Sequence, residues 1–194
     1  VDFSTPVTLT VTPLIATVNP ASATICAGSI QQLTLTNASS PLDVVYSSGT
    51  VNIPIPDATL AGINNTIAVA GIPAGAVVTK IGVRLNITHD WVSDLEVVLR
   101  APNGAILNLS DLVSATNQSG ANFTNTVISS LGTARLNTGV RPGYTGTFRA
   151  DAVPAGGGAF GVPAGPTGFL PTVTTFTGLT SGALNGNSTL AMYD

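Results

Sequence analysis

His89 is the only histidine in the 194-residue sequence. It opens a short run, His89-Asp90-Trp91-Val92-Ser93-Asp94, that gathers most of the residue types able to do chemistry. An imidazole beside two carboxylates and a serine has the parts of a Ser-His-Asp relay, and any such relay in this chain must use His89. No Gly-x-Ser-x-Gly turn is present to hold a serine hydroxyl up as a nucleophile. His89 also closes an alternating apolar segment, where a histidine serves by hydrogen-bonding across the adjoining loop. A structural His89 is expected, and no catalytic residue is assigned.

The carboxylates suggest a different chemistry. Asp57, Asp90 and Asp94 are hard oxygen donors that, with backbone carbonyls, could surround Ca2+, the one cofactor the sequence suggests. The Asp-x-x-x-Asp spacing of the last two is not that of an EF-hand. Asp94 equally suits capping the turn before Leu95 by accepting backbone N–H groups. Trp91 is the only tryptophan. Beside His89 at a loop tip it could stack on a glycan, but one aromatic makes a poor sugar platform, so a packed ring is expected. Cys26 is the only cysteine, which excludes an internal disulfide and a metal site built on cysteine pairs. Its apolar setting predicts a small buried side chain.

These residues need elements to position them, and the composition says which kind. Hydrophobic residues make up 44%, charged residues 8% and aromatics 5%, with 21 Gly and 13 Pro, so disorder is excluded and large side chains for helical cores are scarce. Threonine and valine between Gly/Pro punctuation predict short strands and an all-β fold. The net charge of −3 and pI near 4.7, with six basic residues spread singly, leave no electrostatic footprint for nucleic acid. No apolar run is long enough to span a bilayer, and Val1-Asp2-Phe3-Ser4 lacks the pattern of a signal peptide, so a removed leader or a cut from a longer chain is expected.

Val7 to Val11 alternates strictly and reads as a strand closed by Pro13. Ala23–Cys26 and Ile30–Thr36 read as two more around Ala27-Gly28-Ser29, and Leu42–Tyr46 as a fourth. Residues 1–48 thus form an N-terminal β segment too small for a core of its own, which must lean on the rest of the chain or on a neighbour. Ile67–Val69 predicts a short strand. Ile81, Val83, Leu85 and Ile87 then alternate with polar residues and predict one buried face. Leu95, Val97 and Leu99 repeat this against Glu96, Val98 and Arg100. Pro102-Asn103-Gly104 turns into a strand at Ile106–Leu109, Thr145–Arg149 and Thr189–Met192 are strands, and residues 154–171 are a long loop. Every residue from Ala152 to Tyr193 is uncharged, which predicts strand edges undefended by charge.

Four stretches in residues 53–194 resemble the P domain, or Homo B domain, of kexin- and furin-type proprotein convertases and of bacterial secreted proteins. They are Ile55-Pro56-Asp57, the strand-loop-strand from Val83 through His89 and Asp94 to Gly104, Asn122–Thr126, and Tyr144–Arg149. The resemblance implies a jelly-roll-like antiparallel β-sandwich over residues 49–194. The family's Gly-Thr-Trp-Thr-Leu-type strand is here Asn187-Ser188-Thr189-Leu190, without its tryptophan. The family's last strand would follow Asp194, so the sandwich is expected to lack it here: the strand follows in a longer polypeptide, or is donated by another subunit, or is replaced by Val7–Val11 of the same chain. Val7 to Leu14 and Pro20 to Gly28 resemble the junction between immunoglobulin-like repeats of bacterial surface proteins, which implies an extracellular setting and export by the type IX route.

The expected function is a non-catalytic structural or adhesive module of an extracellular bacterial surface protein. Its partners would be neighbouring domains or identical subunits joined by strand pairing, with filaments as the product, or a surface glycan or protein ligand. The alternative is the accessory P domain of a secreted subtilisin-like serine protease.

Overall fold

The computed structural model describes residues 6–11, 17–22, 24, 30–32, 34–36, 42–111 and 122–194. Its strands are β1 (Pro6–Val11), β2 (Thr17–Asn19), β3 (Thr34–Thr36), β4 (Leu42–Ser47), β5 (Ile63–Val69), β6 (Val78–Ile87), β7 (Glu96–Arg100), β8 (Ile106–Asp111), β9 (Phe123–Ser129), β10 (Gly146–Phe148) and β11 (Gly186–Tyr193). Among the described residues the one α-helix is Phe176–Thr180, capped by Thr175, and no helix is long and apolar enough to cross a membrane. The fold is an all-β sandwich. One sheet runs β10-β9-β6-β1-β4, the other β5-β11-β7-β8, and β2 and β3 pair separately. All ladders between these strands are antiparallel except β10 on β9.

The core lies between the two larger sheets. Val83, Leu85 and Ile87 of β6 enter it with Phe123 and Ile128, and Val97, Leu99, Leu107, Leu109 and Met192 meet them from the second sheet. Ile81 is only half-buried, because it sits where the main cluster gives way to a smaller one around Val69 and Ile72. Tyr144 stacks edge-on against Phe123, ring centroids 5.8 Å apart. The Pro102-Asn103-Gly104 turn forms as expected, with Gly104 at φ 85°. Asn103 accepts from the Ala105 N–H and donates to the carbonyls of Gly178 and Ser181, tying the hairpin to the helix.

Several expectations need correction. β5 begins at Ile63, four residues before Ile67, because its ladder with β11 draws Asn64 and Asn65 into extended pairing. The Ile30–Thr36 strand shrinks to Thr34–Thr36, which pairs with Thr17–Asn19. Of Ala23–Cys26 only Thr24 is described, outside any strand; Cys26 and its expected burial lie outside the described residues. β7 is buried on both faces rather than one: Glu96 and Val98 are as inaccessible as Val97. The Gly/Pro/Ala-rich loop after Asp151 is the reason. Its Ala164, Gly165 and Pro166 are buried, and Phe169 packs on Val98, Ile106 and Ala191. β1, expected to lean either on the rest of the chain or on a neighbour, does the former: Val7 pairs with Val83 of β6 and with Tyr46 of β4.

Candidate functional site

The loop between β6 and β7 stands at one end of the sandwich and is fixed from both sides. The His89 N–H donates to Asn122 Oδ1 at 3.0 Å, and the Asn122 N–H donates back to the His89 carbonyl at 2.8 Å. Asn122 can do this because its backbone is left-handed, φ 65°, which asparagine tolerates. Val92 plugs the core at the start of a one-turn 3-10 helix, Val92–Asp94. With that position taken by Val92, Trp91 points outward and is 56% exposed, contrary to the packed ring expected.

A second segment brings Asp57 to the same place. The Thr59 N–H donates to the Asp194 carbonyl at 3.2 Å, just beyond β11. Gly62 permits the approach: a Cβ there would lie 2.1 Å from the Met192 carbonyl oxygen, and φ is +55°. Asp57, Thr88, His89, Asp90, Trp91, Asp94 and Asp194 together line an open hollow of about 450 Å³. All three sequence-derived carboxylates are therefore on one hollow. Asp194, which sequence reading had not singled out, joins them because β11 ends beside the loop.

The electrostatics of the hollow are acidic. Partial burial raises the Asp194 carboxyl above the usual carboxylate range, opposed by His89 and reinforced by Asp94 and Asp57. His89 Nε2 lies 3.5 Å from Asp194 Oδ2. Its Nδ1 accepts from the Trp91 N–H at 3.2 Å, so Nδ1 holds a lone pair and Nε2 the proton. Both nitrogens are thus engaged, and neither is placed to take a proton from a hydroxyl. Ser93 donates to Asp94 Oδ1 at 3.1 Å. The backbone of His89 thus clamps the loop to Asn122, and its imidazole bonds within the loop to the Trp91 N–H. Among the described residues no three or more His, Cys, Asp or Glu side chains are arranged to hold a metal ion.

The strands and loop that build this end of the molecule fall in one recognisable stretch. Residues 78–137 match the family model of the proprotein convertase P-domain. The P-domain match runs from the first residue of β6 through the His89–Asp94 loop, β7, β8 and β9 to Asn137. It bears out the resemblance carried by Val83–Gly104 and Asn122–Thr126; Ile55–Asp57 and Tyr144–Arg149 lie outside it. A search of curated proteins and a search of solved structures each found no match. The P domain is a non-catalytic accessory module of proprotein convertases and subtilisins, in keeping with the way His89 is used here.

Because its ring is more than half in solvent, Trp91→Ala is expected to change stability by less than about 0.5 kcal/mol. Chemical denaturation checks this; a loss above about 2 kcal/mol would mean that the ring is buried in solution.

Proposed function

We propose that this chain is a non-catalytic structural or adhesive β-sandwich module of an extracellular bacterial surface protein, joined to its neighbours by strand pairing. The observation that carries the reading is the position of β1 and β4. The segment ahead of the P-domain stretch is bonded into the same sheet as β6, supplying two of its five strands. A module fused to what precedes it by a hydrogen-bonded ladder passes force through the sheet rather than through a hinge.

The sheet edge supports the same reading. β4 lies at the end of its sheet with Val45 57% exposed, and it carries neither lysine nor arginine to repel an incoming strand. Addition of a strand to such an edge supplies main-chain hydrogen bonds, and head-to-tail repetition produces a fibre. Light scattering over a concentration series tests this: the chain grows in size with concentration, and Val45→Lys holds it at the monomer. A wild-type chain that stays monomeric throughout removes strand pairing from the reading.

The second reading is the accessory P domain of a secreted subtilisin-like serine protease, favoured by the family match at residues 78–137. Mass spectrometry of the native polypeptide separates the two. Subtilisin-like catalytic sequence in the same chain supports the protease, and tandem immunoglobulin-like repeats support the surface protein. Adhesion to a glycan would centre on the exposed Trp91, as a glycan-array signal that Trp91→Ala abolishes.

A further inference from the structure

The outer face of the four-stranded sheet buries a group of oxygen atoms that the hollow at His89 does not use. Glu96 opens β7 and is fully buried; across the ladder it faces Asp111 of β8, itself 6% exposed. The two carboxyl groups are within hydrogen-bonding reach of each other. Asn108 lies beside them, also fully buried, with its Nδ2 donating to Glu96 Oε2 at 2.8 Å and to the Ala164 carbonyl at 3.1 Å. Among the described residues, none donates a hydrogen bond to Glu96 Oε1 or Asn108 Oδ1. The loop after Asp151 closes over the group, its Ala159 N–H donating to Asp111 Oδ1 at 3.1 Å and its Pro163 carbonyl accepting from the Tyr193 hydroxyl.

Charge does not balance among these residues. Asp151 adds a third carboxylate, its Oδ2 accepting from the Asp111 N–H, and Arg135 holds Asp151 at 2.8 Å. That leaves Glu96 and Asp111 facing each other with no lysine or arginine of the described residues paired to either. Two buried carboxylates in contact require a shared proton or a bound cation.

We propose that Glu96, Asp111 and Asn108 form a site for a hard divalent cation, calcium, beneath the loop that follows Asp151. Every donor is oxygen: the two carboxylates and the amide oxygen of Asn108, which receives no hydrogen bond from the described residues. Calcium takes six to eight such ligands in irregular geometry, whereas magnesium demands a near-ideal octahedron and keeps its water. A charge of +2 matches the two uncompensated carboxylates. None of the three residues lines the hollow at His89, and the fully buried Leu95 separates Asp94 from Glu96.

The test is a titration of the chelator-stripped full chain with calcium chloride, read as thermal unfolding. At a hundredfold excess over Kd, calcium is expected to raise Tm by about 5 to 10 °C. Glu96→Gln keeps the shape, leaves the metal-free Tm equal or higher, and abolishes the calcium response; Asp94→Asn leaves the response intact. Terbium chloride supplies a second reading on the wild-type chain. Bound beside Tyr193, terbium luminesces with an excitation spectrum that follows tyrosine, and calcium displaces it. The proposal is overturned if millimolar calcium leaves the wild-type Tm unchanged, which would assign the pair a shared proton. It is equally overturned if the response survives Glu96→Gln, or if Asp94→Asn abolishes it and terbium excitation follows tryptophan, which would place the ion beside Trp91. Since this is a binding measurement on the chain itself, neither result bears on the strand-pairing function proposed above.

Discussion

Leu85→Ala is expected to destabilise the chain by about 2 to 5 kcal/mol in chemical denaturation. Leu85 stands in the middle of β6, inaccessible to solvent, between Val83 and Ile87 on the face that meets the second sheet. Truncation to alanine forfeits the transfer free energy of the lost methyl-bearing carbons. It also leaves a cavity that two hydrogen-bonded sheets are too stiff to collapse into. Two neighbours calibrate the result. Ile81→Ala falls at or below the low end of that range, because Ile81 is only half-buried at the boundary of two clusters. Arg84→Ala, on the exposed face of the same strand, stays within about 0.5 kcal/mol. A loss under about 0.5 kcal/mol for Leu85→Ala would mean that the other face of β6 is the buried one.

β6 was legible because only one of its faces is covered. Alternation in a sequence records a difference between two environments, and from Val83 to Thr88 the fully buried apolar side chains alternate with half-buried or exposed polar ones. β7 hid its arrangement because that difference is absent. The loop after Asp151 removes solvent from its outer face, so Glu96 occupies a position where alternation predicts exposure. A signal was nonetheless present. A 42-residue region without charge is poorly suited to be solvated, and the structure uses part of it as a lid over the second sheet. The bulge that shifts the β7–β8 register between Val97 and Val98 had no such signal, and it decides where Asn108 and Asp111 stand relative to Glu96.

The hollow at His89 was legible in part for a similar reason. Asp90, Trp91 and Asp94 are local to one loop, so a motif shows them together. Asp57 and Asp194 arrive through the ladder of β5 on β11 and the close pass at Gly62, which are contacts between distant segments. The orientation of Trp91 turned on one packing choice: Val92 fills the core, so its neighbour cannot.

Removing residues 1–15 is expected to have the larger effect of the two changes argued here. β1 lies between β6 and β4, with Val7, Leu9 and Val11 in register with Val83, Ile81 and Val78 on one side and with Tyr46, Val44 and Leu42 on the other. Each ladder hydrogen bond is worth about 0.5 to 1.5 kcal/mol net, and β1 makes ladders on both flanks, so the loss is expected on the order of 5 kcal/mol or more. The truncation also strips one edge of β6, a ten-residue strand, leaving a row of unpaired N–H and C=O groups. Two outcomes follow from that edge. The truncated chain grows in light scattering as it recruits strands from other copies, and a synthetic peptide of residues 1–15, added in trans, returns it to the monomer and restores its denaturation midpoint. The intact chain does not bind the peptide, because its own β1 occupies the place. A truncated chain with unchanged midpoint and size, indifferent to the peptide, would mean that β1 contributes nothing to the sheet in solution. If instead the intact chain takes up the peptide, β1 exchanges readily, and the same ladder that closes one sandwich is available to join it to the next.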